Sequence, residues 1–174
     1  FSQIAGAMAL CGANVVDAKI LTLADGMALD TFFVQDTNGE AFNDSTKLDR
    51  LRDTLEKVIS GQIRPSQEIE RRQTKDNKHR TAVFKVEPNV IIDNKASRTH
   101  TVIEITARDR LGLLYDITRA LRDLSMQIAS ARISTFGERA VDVFYVKDVF
   151  GLKIDSRTKF VQVKETLTQA IRND

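Results

Sequence analysis

The chain has one cysteine among 174 residues, two prolines, two histidines and no tryptophan. A lone thiol, Cys11, forms no internal disulfide, which fits a reducing, cytoplasmic compartment. Two histidines and one cysteine at unrelated spacings do not compose a Cys/His zinc site, so no metal is expected here. No apolar run approaches the roughly 18 residues that read as a membrane span, and no basic-then-apolar leader opens the chain. It begins at Phe1 rather than Met, and reads as a piece of a longer chain. Charges nearly cancel, 26 basic against 24 acidic, and a net +2 does not by itself imply a nucleic-acid partner. The phosphate-cradling patterns GxGxxG and GxxxxGK are both absent. A hydrophobic fraction of 42% with 29% charged residues is the balance of an ordinary globular domain. The length suits one such domain or two small ones.

What the chain does contain is itself, twice. "FSQIAGAMALCGANVVDAKI" aligns under "LYDITRALRDLSMQIASARI", pairing Phe1 with Leu114, Ile4 with Ile117, Met8 with Leu121, Cys11 with Leu124, Val15 with Ile128 and Ile20 with Ile133. After one single-residue shift, "ALDTFFVQDTNG" matches "AVDVFYVKDVFG", pairing Asp30 with Asp142, Phe32 with Phe144, Asp36 with Asp148 and Gly39 with Gly151. In the second copy Thr101–Ala107 is short and β-branched, a strand. Leu113, Leu114, Ile117, Leu121 and Leu124 then recur at helical spacing. Ile128–Thr135 alternates as a half-buried strand, Ala140–Lys147 returns as a hairpin partner, and Phe160, Val163, Leu167, Ala170 and Ile171 stripe a second helix. The order β-α-β-β-α is nearly the split β-α-β unit, two helices on one face of an antiparallel sheet.

The expected fold class is therefore α+β, two ferredoxin-like βαββαβ units, the first lacking its opening strand. Residues 1–80 form the first unit with a polar linker, "SGQIRPSQEIERRQTKDNKHR". Residues 81–98 carry connecting strands around Pro88, and 99–174 form the second unit. Of the strand-like runs at 82–86 and 90–92, one should close the first unit and the other fill the gap in the second.

The most distinctive segment is "TARDRLGLLYDITRALRDL", a polar corner between a strand and a helix. Catalysis there lacks a nucleophile with a base in reach. His79 and His100 have no counterparts in the other copy and read as exposed loop residues, and Cys11 sits on an apolar helix position. Asp142 and Asp148, repeated as Asp30 and Asp36, compose a conceivable carboxylate pair; however, Asp36 and Asp148 end strands before turns, a common use of aspartate. The hairpin strand "VDVFYVKD" lacks the basic-Gly-aromatic signature of an RNA-recognition sheet. Binding suits the corner better. Gly112 lets a ligand approach backbone at a positive helix end, where a carboxylate fits, and Asp109 suits an ammonium. The plainer use is that Asp109 caps the helix and Gly112 eases the turn.

On "TVIEITARDRLGLLYDITRALRDLSMQIASARISTFGERAVDVFYVKD" the second copy resembles the ACT domain family, amino-acid-binding βαββαβ modules of metabolic regulation. The corner matches the family's Asp-Arg-Pro-Gly-Leu pattern at Asp109, Arg110, Gly112 and Leu113, with Leu111 in place of Pro. The tandem arrangement, with "VEPNVIIDNKAS" between the copies, resembles the C-terminal end of the bacterial protein-PII uridylyltransferase/uridylyl-removing enzyme family. That resemblance implies a glutamine-sensing, allosteric region of an enzyme of nitrogen metabolism. Nucleotidyltransferase and hydrolase chemistry, with its Mg2+, would lie in other domains, leaving this stretch non-catalytic and without cofactor. Its implied partners are L-glutamine, the catalytic domains, indirectly PII, and a second copy through ACT sheets; no nucleic acid and no membrane. The implied ligand residues are Asp109, Arg110, Leu111, Gly112 and Leu113, the carboxylate resting on the Gly112 and Leu113 N–H groups. Gln127 and its counterpart Asn14 would add side-chain amides. The alternative is a ligand-free interaction or dimerisation module docking on the catalytic domains, which Leu111 favours.

Overall fold

The computed structural model describes residues 1–22, 27–76 and 86–172. Their elements run α1 (Ser2–Cys11), β1 (Asn14–Thr22), β2 (Ala28–Gln35), α2 (Ser45–Ile59), α3 (Pro65–Asp76), β3 (Asn89–Asp93), β4 (Thr101–Arg108), α4 (Leu113–Asp123), β5 (Gln127–Phe136), β6 (Arg139–Lys147) and α5 (Arg157–Arg172). The strand-like run at 82–86 lies outside the described residues except at Val86, as does His79.

Alternation decides which strand face is covered. Along β6, Ala140, Asp142, Phe144 and Val146 are buried while the residues between them are half-buried. On α4 the buried side carries Leu113, Ile117 and Leu121, one turn apart. Ile103, Ile105, Phe144 and Val146 from the sheet meet Ile117, Leu121, Val163 and Leu167 from the helices as a single core. That core continues into the first unit through Met8, Ala13, Val15, Ala18 and Leu51.

The strands form one six-stranded sheet in the order β2-β1-β5-β6-β4-β3, every pairing antiparallel. Two sheets were the expectation; the units instead share one, joined at β1 and β5. The junction registers Asp17 with Arg132, Ala18 with Ala131 and Lys19 with Ser130. Ala18 and Ala131 are counterparts in the repeat, and the flanking pairs exchange under it. The contact is thus isologous, a pseudo-twofold within one chain. Both alanines are fully buried, and their small side chains let the layers close over the junction. The counterpart helices α1 and α4 pack on each other across the same axis. Even the irregularities repeat, with register shifts between Val15 and Asp17 and between Ile128 and Ser130.

β3 pairs with β4 from Asn89–Thr106 to Asp93–Val102, so Val90–Ile92 fills the closing-strand place of the second unit from upstream in the chain. The turns after β2 and β6 are copies as well. Asp36 Oδ1 accepts the N–H groups of Asn38 and Glu40, and Asp148 Oδ1 those of Phe150 and Leu152. These bonds, Asn38's foremost, hold the Asp36 carboxyl below its ordinary range.

The stretch read as a polar linker contains α3. Pro65 opens it, a position where a missing N–H costs nothing. Ile69 buries its side chain against Leu10 and Tyr115, with Ile63 and Leu111 alongside. Arg72 Nη1 donates to Leu10 O at 2.6 Å, and Gln73 Nε2 to Leu111 O at 2.8 Å.

Candidate ligand site

The corner between β4 and α4 is held from three sides. The Asp109 N–H donates to Glu138 O at 2.8 Å, tying the corner to the β5–β6 hairpin. The Arg110 side chain is mostly buried at the corner, 12% exposed. Its Nη1 donates to Asp116 Oδ2 at 2.7 Å and its Nη2 to Ala170 O at 3.0 Å, near the end of α5. A cation beside a helix C-terminus is electrostatically favoured, so Arg110 acts as a brace between helices. Leu111, where the family pattern has Pro, belongs to the apolar patch under α3. Gly112 adopts φ 80° immediately before α4, and a Cβ there would lie 2.6 Å from Ile69 Cγ2. Both the left-handed backbone and the pressure of α3 require glycine. The Leu113 N–H, expected to face a carboxylate, donates to Arg110 O at 3.1 Å and is spent within the turn.

Below the corner lies a cleft of about 680 Å³ between the two units. The second unit contributes Asp109–Leu114, Ile133, Thr135, Ala140 and Asp142. The first contributes Ala5 and Ala9 from α1, then Gly12–Val15 and Thr37. Asn14 is therefore brought to the corner, its Nδ2 donating to Asp36 O at 3.3 Å.

Gln127, its counterpart, is not. It lines a second cavity of about 450 Å³ with Phe1, Ser2, Ile20, His100, Arg122 and Lys147. The pseudo-twofold exchanges the two cavities: Asn14, Val15 and Ile133 line one, Gln127, Ile128 and Ile20 the other. Residues that match in the repeat are placed by it in different sites. His100, expected on an exposed loop, is half-buried with its ring edge-on to Tyr145, and burial followed by the Lys147 charge lowers its pKa. Cys11 is half-buried rather than fully packed.

Electrostatically, Asp142 dominates the first cleft. Mid-strand in β6 and 2% exposed, it has Oδ1 buried without a hydrogen-bond partner. Burial drives its pKa up to about 7; the Ser134 backbone N–H opposes the shift and the nearby Asp109 charge adds to it. Asp30, its counterpart, likewise has a buried Oδ1 without a partner. Among the described residues no cluster of three or more His, Cys, Asp or Glu side chains gathers as metal donors, and no helix is long and apolar enough to cross a membrane.

Sequence reasoning missed α3 and, with it, Ile69, Arg72 and Gln73 over the corner. The available signals were Pro65 as a helix-opening residue and Ile63 and Ile69 as isolated apolar positions in a polar stretch.

An antiparallel sheet backed by helices, with a ligand-sized cleft at a strand-helix corner, is the architecture of the ACT class. Residues 89–173 match the family described as "ACR9-like, ACT-like domain". Residues 89–173, the second unit with its upstream strand, are thus similar to an ACT-like domain. Over 98% of its length the chain is 55% identical to the "Bifunctional uridylyltransferase/uridylyl-removing enzyme" of Azospirillum brasilense. It is 54% identical to the protein of that name from Rhodospirillum rubrum and 49% identical to the one from Gluconobacter oxydans, again over 98% of the chain. It spans 18% of the length of each of these relatives. No solved structure matches the chain.

Proposed function

We propose that this chain is the amino-acid-sensing regulatory region of a bifunctional uridylyltransferase/uridylyl-removing enzyme that controls nitrogen assimilation by modifying PII. Its ligand in this reading is L-glutamine, bound in the cleft beneath the Asp109–Leu113 corner. The observation that carries the reading is the cleft itself, lined by a strand-helix corner of one unit and by α1 and Asn14 of the other. A ligand seated there touches both units at once. It biases an enzyme only if it binds two of the enzyme's states with different affinity, and an inter-unit seat makes affinity depend on how the units are held. The polar groups of Asn14, Thr37 and Thr135 suit a zwitterion with an amide side chain better than an apolar ligand. Uridylyl transfer and removal, with any Mg2+ they use, belong in this reading to the remainder of the parent enzyme.

The test is thermal denaturation and titration calorimetry of the chain with each of the twenty amino acids. Glutamine at about 100 times its dissociation constant should add about 2.7 kcal/mol of stability. No response to any amino acid would overturn the reading. A second reading, a ligand-free docking or dimerisation module, draws on α3 seated over the corner with Leu111 beneath it. A dimer whose elution ignores every amino acid would favour it.

A further inference from the structure

Resting on the amino-acid-site reading of the cleft, we propose that Asp142, with Asp109 beside it, recognises the ligand's ammonium, and that the ligand binds with release of a proton from Asp142. Three observations carry this. Asp142 lies on the core face of a central strand, between Ala140 and Phe144, where an apolar residue would pack without cost. An ionised carboxylate buried there is expensive unless a cation or several donors meet it. The Ser134 N–H supports the carboxyl, while Oδ1 is buried in the cleft wall with no hydrogen-bond partner.

The second observation is the charge of the lining. Among the described residues its ionisable side chains are Asp109, Arg110 and Asp142; Arg110 donates through Nη1 to Asp116 and through Nη2 to Ala170 O, and its Nε is buried without a hydrogen-bond partner. Across the sheet Asp142 is registered with Ile105 of β4 and Ile133 of β5. From α1 and the start of β1 the facing residues are Ala5, Ala9, Asn14 and Val15, all uncharged. The Asp109 charge bears on Asp142, and its sign is wrong for a partner. An ammonium is the ligand group whose charge is opposite to that of an ionised Asp142, whereas a neutral amide would leave that charge unmet. The third observation is the repeat. Asp30 keeps both the residue and the buried, unpartnered Oδ1 at the same strand position of the first unit.

The direction of the pH effect follows. With its pKa near 7, Asp142 is mostly protonated at pH 6 and mostly ionised at pH 8. An ammonium binds the ionised form, so wild-type affinity for L-glutamine should rise about tenfold from pH 6 to pH 8, with close to one proton released per ligand at pH 6. Calorimetry with L-glutamine, in buffers of differing ionisation enthalpy at both pH values, reads both quantities without any variant. Asp142→Asn removes the charge at constant shape; its affinity at pH 8 should fall at least tenfold and its pH dependence vanish. The analogue of glutamine with hydrogen in place of the ammonium should not bind the wild-type chain measurably. If Asp142→Asn matches wild type in affinity and pH dependence, or the des-amino analogue binds as well as glutamine, the inference falls while the amino-acid site stands. If the wild-type chain binds no amino acid at either pH, the reading of the cleft falls and takes the inference with it.

Discussion

Asp142 shows what one buried carboxyl does to a fold before any ligand arrives. Its pKa near 7, against an ordinary 3.8, means that the folded chain holds a proton between about pH 4 and 7 that the unfolded chain has lost. Stability therefore falls as pH rises through that window, and the penalty is complete above it. A shift of this size corresponds to roughly 4 kcal/mol. Asp142→Asn should be about 2–4 kcal/mol more stable than wild type at pH 8 and nearly equal at pH 4, as read by urea unfolding without ligand. An equal difference at both pH values would mean that the effect is not ionisation. At the same scale, Asp109 and Gly112 were legible as the special residues of the corner because polar and glycine residues interrupt an apolar pattern. Their neighbours' roles were not legible. Whether Arg110 faces a ligand or braces Asp116 and Ala170 depends on where α5 ends, which no local spacing encodes.

At the scale of elements, α3 is the piece that hid. Pro65–Asp76 reads "PSQEIERRQTKD", with two buried apolar residues among those described, Pro65 and Ile69. A helix held by two apolar side chains and two side-chain-to-carbonyl bonds needs no amphipathic stripe, so periodicity is silent. Its seat was written elsewhere in the chain. Gly6 admits Pro65, since a Cβ there would lie 2.5 Å from Pro65 Cβ, and Gly112 admits Ile69. Ile69→Ala should weaken the docking of α3 by about 2–5 kcal/mol. Amide exchange should then accelerate across α3 while β4, β5 and β6 keep their protection. Uniform acceleration everywhere would show that α3 unfolds only with the whole.

At the scale of the molecule, the two copies are one folding unit. A single core runs from Met8 and Val15 to Val163 and Leu167, and the sheet passes between units through Ala18 and Ala131. Neither half closes its core alone. The chain should therefore unfold in one calorimetric transition whose van't Hoff and calorimetric enthalpies agree. Two resolved transitions would contradict the shared core.

The sequence by itself determined the repeat, the β-α-β-β-α order of the second copy and its counterpart without the opening strand in the first, the apolar faces and the corner at Asp109–Leu113. All of these are read along the chain: periods of two and 3.6, a turn glycine, a self-match broken by one single-residue shift. Only the tertiary structure decided that the units share one sheet, that β3 closes the second unit, that α3 covers the corner, and that Asn14 and Gln127 fall into different cavities. Those outcomes follow from the pseudo-twofold at Ala18 and Ala131. A symmetry axis brings each corner to the other copy's strand and leaves no mark on the spacing of either one.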